Sequence, residues 1–341
     1  MKKINNIEVS ICISVYNTEK LLKRCLESVV NQTLEKKEII LVNNGSTDSS
    51  LEIMLEYKEQ YPDMIKVYSQ EDKGLAQGRQ TGINYAQGKY IIFLDADDYV
   101  NLDAYEKMYN SAMKYDVDIV ECQTIREGSI IKSNYTGVYD TSEILRDYFI
   151  NKEIPSMLWM RLFKRKLFLD KRVLPNIYVN NEDIFALPCL LYKAKNIFYL
   201  QEQLHHYTTD NEESVMYEIK NKLSDETKMI QNRIKILHVI DHISEYIGKD
   251  NLNKKYKKEF MTHTARIILV FCLSDFKSLS IKDKIELACK ETKIDKKDLN
   301  KYYKNFTHYN KMIQNLIRLI GFKNTLFMYK YLKKIISLIK V

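Results

Sequence analysis

The sequence predicts the α/β class: a mainly parallel sheet flanked by helices, with an added helical region at the C-terminal end. Three observations carry this. The first 125 residues alternate between short β-branched apolar runs and stretches with apolar residues three and four apart, the signatures of buried strands and amphipathic helices. Gly and Pro number only nine and four among 341 residues, so helix breakers are scarce. From about Met216 the apolar spacing is helical nearly throughout, as at Met229, Ile230, Arg233, Ile234 and Leu237.

Taken in order, Val9–Val15 is a short apolar run and predicts a buried strand. Residues 19–30 place Leu21, Leu22, Cys25, Leu26 and Val29 at helical spacing. A strand at 38–42 and a helix at 49–61 follow, with Thr47 or Asp48 as N-cap. Next come a strand at 65–69, a helix at 75–86 ended by Gly88, a strand at 90–94, a helix at 102–114 and a strand at 117–123. Strands joined by single helices imply right-handed crossovers and a mainly parallel sheet. In such sheets ligands sit beyond the carboxyl ends of the strands. The residues to inspect are therefore 14–17, 43–48, 70–73 and 95–98. Residues 126–214 are mixed in pattern, with a lone Trp159 and a polar break at 180–183.

Composition narrows the function classes. The longest uninterrupted apolar run is 267–273, far short of the ~18 residues that span a bilayer. The N-terminal stretch is broken by Asn5, Asn6 and Glu8 and makes a poor signal peptide. Six dispersed cysteines without C-x-x-C spacing read as reduced thiols of a cytoplasmic protein. The net charge of +8 resides in residues 299–341, which hold nine basic residues and no acidic one. No nucleic-acid-binding motif accompanies that charge, so nucleic acid is not the expected partner. Apolar clusters such as Leu316, Ile317, Leu319 and Ile320 lie between basic residues of this tail. A tail of that kind suits a membrane surface at the inner face of the cell membrane, self-association, or packing on the rest of the chain, and the sequence leaves these open.

Two acidic groups stand out. Asp95-Ala96-Asp97-Asp98 follows the apolar strand 90–94. Three carboxylates within four residues repel one another unless a cation compensates. Their hard oxygens suit Mg²⁺ or Mn²⁺, which bind through one or two carboxylates and keep waters and phosphates as further ligands. An acidic cap for the helix near Leu102 is the plainer alternative. The second group is Glu182-Asp183, before an apolar helical run, where a helix cap is again the plainer alternative. The turn 43–48 offers Asn44, Gly45 and Ser46, suited to a tight turn that hydrogen-bonds a base or ribose. Neither GxGxxG nor GxxxxGK[ST] is present, against a dinucleotide or P-loop enzyme.

Four segments occur in order: 9–17 with 25–33, 38–48, Lys73-Gly74-Leu75-Ala76-Gln77-Gly78-Arg79, and 88–98. Together they resemble the opening of bacterial family 2 glycosyltransferases of the Rossmann-like GT-A fold. The resemblance is strong over the first 125 residues and weaker to about Met216. It implies a catalytic domain over 1–215, with a donor half 1–125 and an acceptor half 126–215, and a helical region 216–341. It also implies a Mn²⁺- or Mg²⁺-dependent, inverting transfer from a nucleotide sugar, UDP-linked by expectation, to a glycan or lipid-linked acceptor. Asp97 becomes the direct metal ligand, assisted by Asp98, and His206 ligates metal in some relatives. Asp95 and Ala96 border the donor, Val15 and Tyr16 the nucleobase, and Ser46 lies in the base or ribose turn. Arg79 would neutralise phosphate charge. Asp183, with Glu182 beside it, would be the general base. Asn44 departs from the family, which usually has Asp there to contact uracil. Two alternatives stay open: an inactive sugar-nucleotide-binding or scaffold protein of the same fold, and a nucleotidyltransferase. Against the latter, residues 14–18 lack a Gly- and Lys/Arg-rich triphosphate loop.

Overall fold

The structure, a computed structural model, describes residues 7–150, 154–175, 181–209, 226–248, 251–272 and 278–292. The basic tail 299–341 lies outside the described residues. The chain divides into two compact units: residues 1–144 with 153–222, and residues 145–152 with 223–341.

The first unit is built on β1 (Val9–Val15), α1 (Glu19–Val30), β2 (Lys37–Asn44), α2 (Ser50–Gln60), β3 (Ile65–Gln70), α3 (Leu75–Tyr85) and β4 (Tyr90–Asp95). It continues through β5 (Tyr99–Val100), α4 (Ala104–Tyr115), β6 (Ile119–Arg126), β7 (Ser129–Ile131), β8 (Gly137–Asp140), α5 (Thr141–Phe149), β9 (Arg161–Lys164), α6 (Asp183–Lys193) and β10 (Asn196–His206). The last residues of α5 belong to the second unit.

One sheet runs β3-β2-β1-β4-β9-β6-β10-β5, with β7 added on β6 and β8 on β10. β3, β2, β1 and β4 are parallel neighbours, as the βαβ pattern requires. The strand expected next, β6, does not join β4. The short β9 lies between them, antiparallel to both. Leu162 and Phe163 of β9 are fully buried, so this four-residue strand fills the centre of the sheet. Its basic ends, Arg161 and Lys164, hide it from a reading by hydrophobic period. β10 pairs parallel with β6, with register shifts between Tyr199 and His205.

The central strands are buried on both faces: Val9, Ser10, Ile11, Cys12 and Ile13 of β1 are buried in unbroken succession, as are Ile39, Ile40 and Leu41 of β2. Helix α3 lies close on β1 because Gly78 and Gly82 present no side chain to it. A Cβ at Gly78 would stand 2.2 Å from Ser14 Oγ, and one at Gly82 3.0 Å from Cys12 Cβ. That close approach brings Arg79 to the sheet.

The second unit contains α7 (Glu226–Leu237), α8 (Val239–Ile247), α9 (Lys257–Cys272) and α10 (Ile281–Thr292). Within it the Phe149 ring meets Phe260 edge-on at 5.4 Å. Among the described residues no helix is long and apolar enough to cross a membrane.

Candidate active site

The carboxyl ends of β1, β2, β3 and β4 form one continuous edge, because the parallel register aligns Ser14 with Asp95, Val15 with Asn43 and Asn44 with Gln70. Val15 is buried there and Tyr16 beyond it is exposed. Ser46 Oγ accepts from the Asn17 main chain at 3.2 Å, and Asn43 Oδ1 accepts from Ser46 N at 3.0 Å. Asp48 receives the main-chain N–H of Glu19 on one oxygen and that of Ser50 on the other, both at 3.0 Å. It thus satisfies the first turns of both α1 and α2. Asn44 is buried and held on both sides of its amide: Gln70 Nε2 donates to its Oδ1 at 2.7 Å, and its Nδ2 donates to Asp72 Oδ1 at 2.9 Å.

At the end of β4, Arg79 organises the acidic residues. Its guanidinium is almost wholly buried. Nη2 donates to Asp95 Oδ1 at 3.0 Å, while Nη1 is bonded to both Glu182 and Asp183. The Phe93 ring lies beneath it, 5.4 Å from the guanidinium carbon. Arg79, expected at the donor phosphates, is therefore spent on three carboxylates. The reason is electrostatic: buried carboxylates need a partner, and one guanidinium answers three of them.

Glu182 is the N-cap of α6, yet its side chain makes no capping hydrogen bond. The pair is thus not consumed as a helix cap. Glu182 is inaccessible, whereas the Asp183 side chain keeps 17% of its surface exposed. Of the two, Asp183 is the one that reaches the surface.

One positive charge among three carboxylates leaves a deficit, and burial sharpens it. Burial raises Asp95 to about 6, against the opposing pull of Arg79. Burial likewise raises Glu182 from 4.5 to about 8. Burial on its own would lower Arg79, but Glu182, Asp183 and Asp95 outweigh it and raise it, so the guanidinium stays charged. Without a further cation the cluster holds protons instead. The folded chain then binds more protons than the unfolded one between about pH 4.5 and 8, and stability falls as pH rises through that window. Glu182→Gln is expected to flatten that fall. Urea unfolding of both proteins in EDTA, at several pH values across the window, checks this. Parallel stability curves would contradict it.

The remaining acidic residues diverge. Alternation along 95–98 leaves Asp95 and Asp97 partly exposed and buries Ala96 and Asp98. Asp98, expected to assist at the metal, turns inward. Its Oδ1 accepts from Thr208 N at 2.7 Å, and its Oδ2 lies 3.4 Å from His205 Nε2 without a hydrogen bond. Burial raises Asp98 well above the usual carboxylate range. His205 is stacked on Trp159 at 4.3 Å, and burial pushes it down to about 3. His206, expected as a metal ligand, directs its Nε2 to Asn101 Oδ1 at 2.8 Å and stacks on Tyr99 at 4.4 Å. Among the described residues no three His, Cys, Asp or Glu side chains converge as a ready-made metal cage.

Arg24 of α1 was not singled out in the sequence. Its Nη2 donates to the main-chain oxygen of Asp97 at 2.8 Å and to Thr208 Oγ1 at 2.6 Å. It ties the acidic turn to the residues after β10. Asp72 falls within the strand-end residues 70–73 marked for inspection, but beside Glu71 the sequence gives it no role of its own.

Residues 10–170 match Glycosyl transferase family 2. Glycosyltransferase GlyA of Streptococcus pneumoniae is 31% identical over 213 residues, 59% of this chain and 30% of the relative. The cholesterol galactosyltransferase of Borreliella burgdorferi is 31% identical over 220 residues, 59% of this chain and 61% of that protein. The chain thus spans less than two thirds of these curated relatives' length. S. aureus TarS in complex with UDP-GlcNAc superimposes with a TM-score of 0.56, covering 91% of each chain at 15% identity, and shows a shared GT-A fold. Residues 10–170, which include Asp95 and Asp97 at the end of β4, are thus similar to glycosyl transferase family 2.

Proposed function

We propose that this protein is a metal-dependent, inverting glycosyltransferase that moves a hexosyl or N-acetylhexosaminyl group from a UDP-sugar to a hydroxyl of a glycan or lipid-linked acceptor, in bacterial surface polysaccharide or glycoconjugate synthesis. The observation that carries the reading is the span of Arg79: one guanidinium links Asp95, at the end of β4, to Asp183, at the start of α6. The D-x-D turn and the proposed base therefore face one site, although 88 residues separate them. The UDP-GlcNAc held by TarS supports the donor class.

Asp97 would hold Mn²⁺ or Mg²⁺, together with oxygens of the donor diphosphate. The residues fit such an ion: the carboxylates exceed the one guanidinium paired with them, and hydrated hard cations need only one or two protein carboxylates. When bound, the ion stabilises the charge that develops on the leaving diphosphate. Asp183 takes the proton of the acceptor hydroxyl. The acceptor oxygen bonds to the anomeric carbon as the bond to the diphosphate oxygen breaks, from the opposite face, so configuration inverts. Arg79 fixes the Asp183 carboxylate for that transfer, and Glu182 shares the guanidinium from the buried side.

Thermal unfolding against a panel of nucleotide sugars with Mn²⁺ tests the donor. Saturation at 100 times Kd stabilises by about 2.7 kcal/mol. A UDP-sugar is expected to raise the midpoint in the presence of metal; no shift with any nucleotide sugar would overturn the reading.

A further inference from the structure

We infer that Arg24 and Thr208 are positioning residues: together they fix the direction in which Asp97 projects its carboxylate, and so set the metal affinity of the acidic turn. The inference rests on the proposed metal at Asp97 and deepens it.

The peptide that joins Asp97 to Asp98 is held at both of its polar ends. Its carbonyl oxygen accepts from Arg24 Nη2 at 2.8 Å, and its N–H donates to the main-chain oxygen of Asp95 at 3.0 Å. A peptide unit is planar, and each residue has only two soft dihedrals. Pinning both ends of this plane restrains rotation about the bonds that flank it, ψ of Asp97 among them, and with it the direction of the Asp97 side chain. The Cys25 thiol meets the main-chain oxygen of Asp95 at 3.7 Å. Adjacent residues of α1 therefore grip the turn at Asp95 and at Asp97, and a helix is a stiffer support than a loop.

Thr208 closes the arrangement into a ring. Its hydroxyl accepts from the same Nη2 at 2.6 Å, and its main-chain N–H donates to Asp98 Oδ1 at 2.7 Å. The circuit runs from α1 through the turn to the residue beyond β10 and back. The Arg24 side chain is exposed, and holding so long a side chain in one rotamer costs entropy. An aromatic platform restrains it. The guanidinium carbon lies 4.7 Å from the centre of the Tyr99 ring, and Tyr99 stacks on His206 at 4.4 Å and pairs with it in the sheet.

This role does not use the charge of Arg24. Both acceptors, a main-chain oxygen and a hydroxyl, are neutral. The sign of the effect on metal separates the two ways Arg24 could act. A cation repels a metal ion, so an Arg24 that acted only through its charge would weaken Mn²⁺ binding, and its removal would tighten it. A positioning Arg24 has the opposite sign: outer partners that orient a metal ligand are worth about 10–100-fold in metal affinity or activity.

Titration of the full chain with Mn²⁺ in UDP tests this, read by the electron-spin resonance signal of free Mn²⁺, with UDP alone as the blank. The proteins are wild type, Arg24→Gln, Thr208→Val and Thr208→Ser. Thr208→Val changes no charge and keeps the main-chain N–H, so it removes the hydroxyl alone. Arg24→Gln is expected to weaken Mn²⁺ binding by about tenfold or more. Thr208→Val is expected to weaken it by at least about threefold, part of the worth of one such hydrogen bond, and Thr208→Ser to restore it. Thermal midpoints in EDTA report the fold; if Arg24→Gln does not fold, the Thr208 pair decides. Wild-type Mn²⁺ affinity in Thr208→Val, or tighter binding in Arg24→Gln, overturns this inference alone. Failure of wild type to bind Mn²⁺ with UDP overturns the metal reading and this inference with it.

Discussion

Asp97→Asn is expected to lower Mn²⁺-dependent transfer by at least about a hundredfold while leaving the fold unchanged. Metal stabilisation of a leaving diphosphate is worth several kcal/mol, and each 1.36 kcal/mol is about a factor of ten in rate. Asp97, like Asp95, is partly exposed in the turn after β4, while Asp98 is bonded to Thr208 and Asp95 to Arg79. No neighbour in the turn is placed to take over its role. The isosteric amide keeps the shape and removes the charge. Initial rates measured across a Mn²⁺ titration check this; wild-type turnover in the variant would sink the metal assignment.

A different pattern is expected from Asp183→Asn. Loss of a general base costs about 10²–10⁴ in rate. Here the loss should fall on kcat, with donor KM and the Mn²⁺ requirement retained, because the carboxamide oxygen still accepts from Arg79 and the donor-facing strand ends are untouched. A variant that instead failed to bind donor would move the base elsewhere and make Asp183 part of the donor site. The two substitutions therefore separate the charge at the leaving group from the proton at the acceptor.

Much of this architecture was legible in the sequence because it is local. Apolar runs and three-to-four spacing are read residue by residue, and they located β1 to β4 and their helices within a few residues. The acidic turn was legible for the same reason. Its internal division could have been read too. The two-residue period of a strand, continued past Leu94, puts Ala96 and Asp98 on the buried side and Asp95 and Asp97 on the other.

What depends on long-range pairing was not legible. Nothing in Arg161-Leu162-Phe163-Lys164 says that it enters the sheet between β4 and β6. The long β10 lies within residues 126–214, where the pattern is mixed. The attraction of Arg79 to Glu182 and Asp183 acts across more than a hundred residues of chain. Arg79 therefore read as a phosphate ligand rather than the centre of a carboxylate cluster. Asn44 marked the departure from the family pattern, but its partner Asp72 emerges only from the adjacency of the β2 and β3 ends.

The central claim is that metal and diphosphate meet at the carboxyl end of β4. Anomalous scattering from Mn²⁺ in a crystal grown with UDP measures that position directly. The account predicts one peak at coordination distance, about 2.1 Å, from a carboxylate oxygen of Asp97 and from oxygens of the diphosphate. A peak elsewhere with Asp97 uncoordinated, or diphosphate bound in full without any peak, would contradict it.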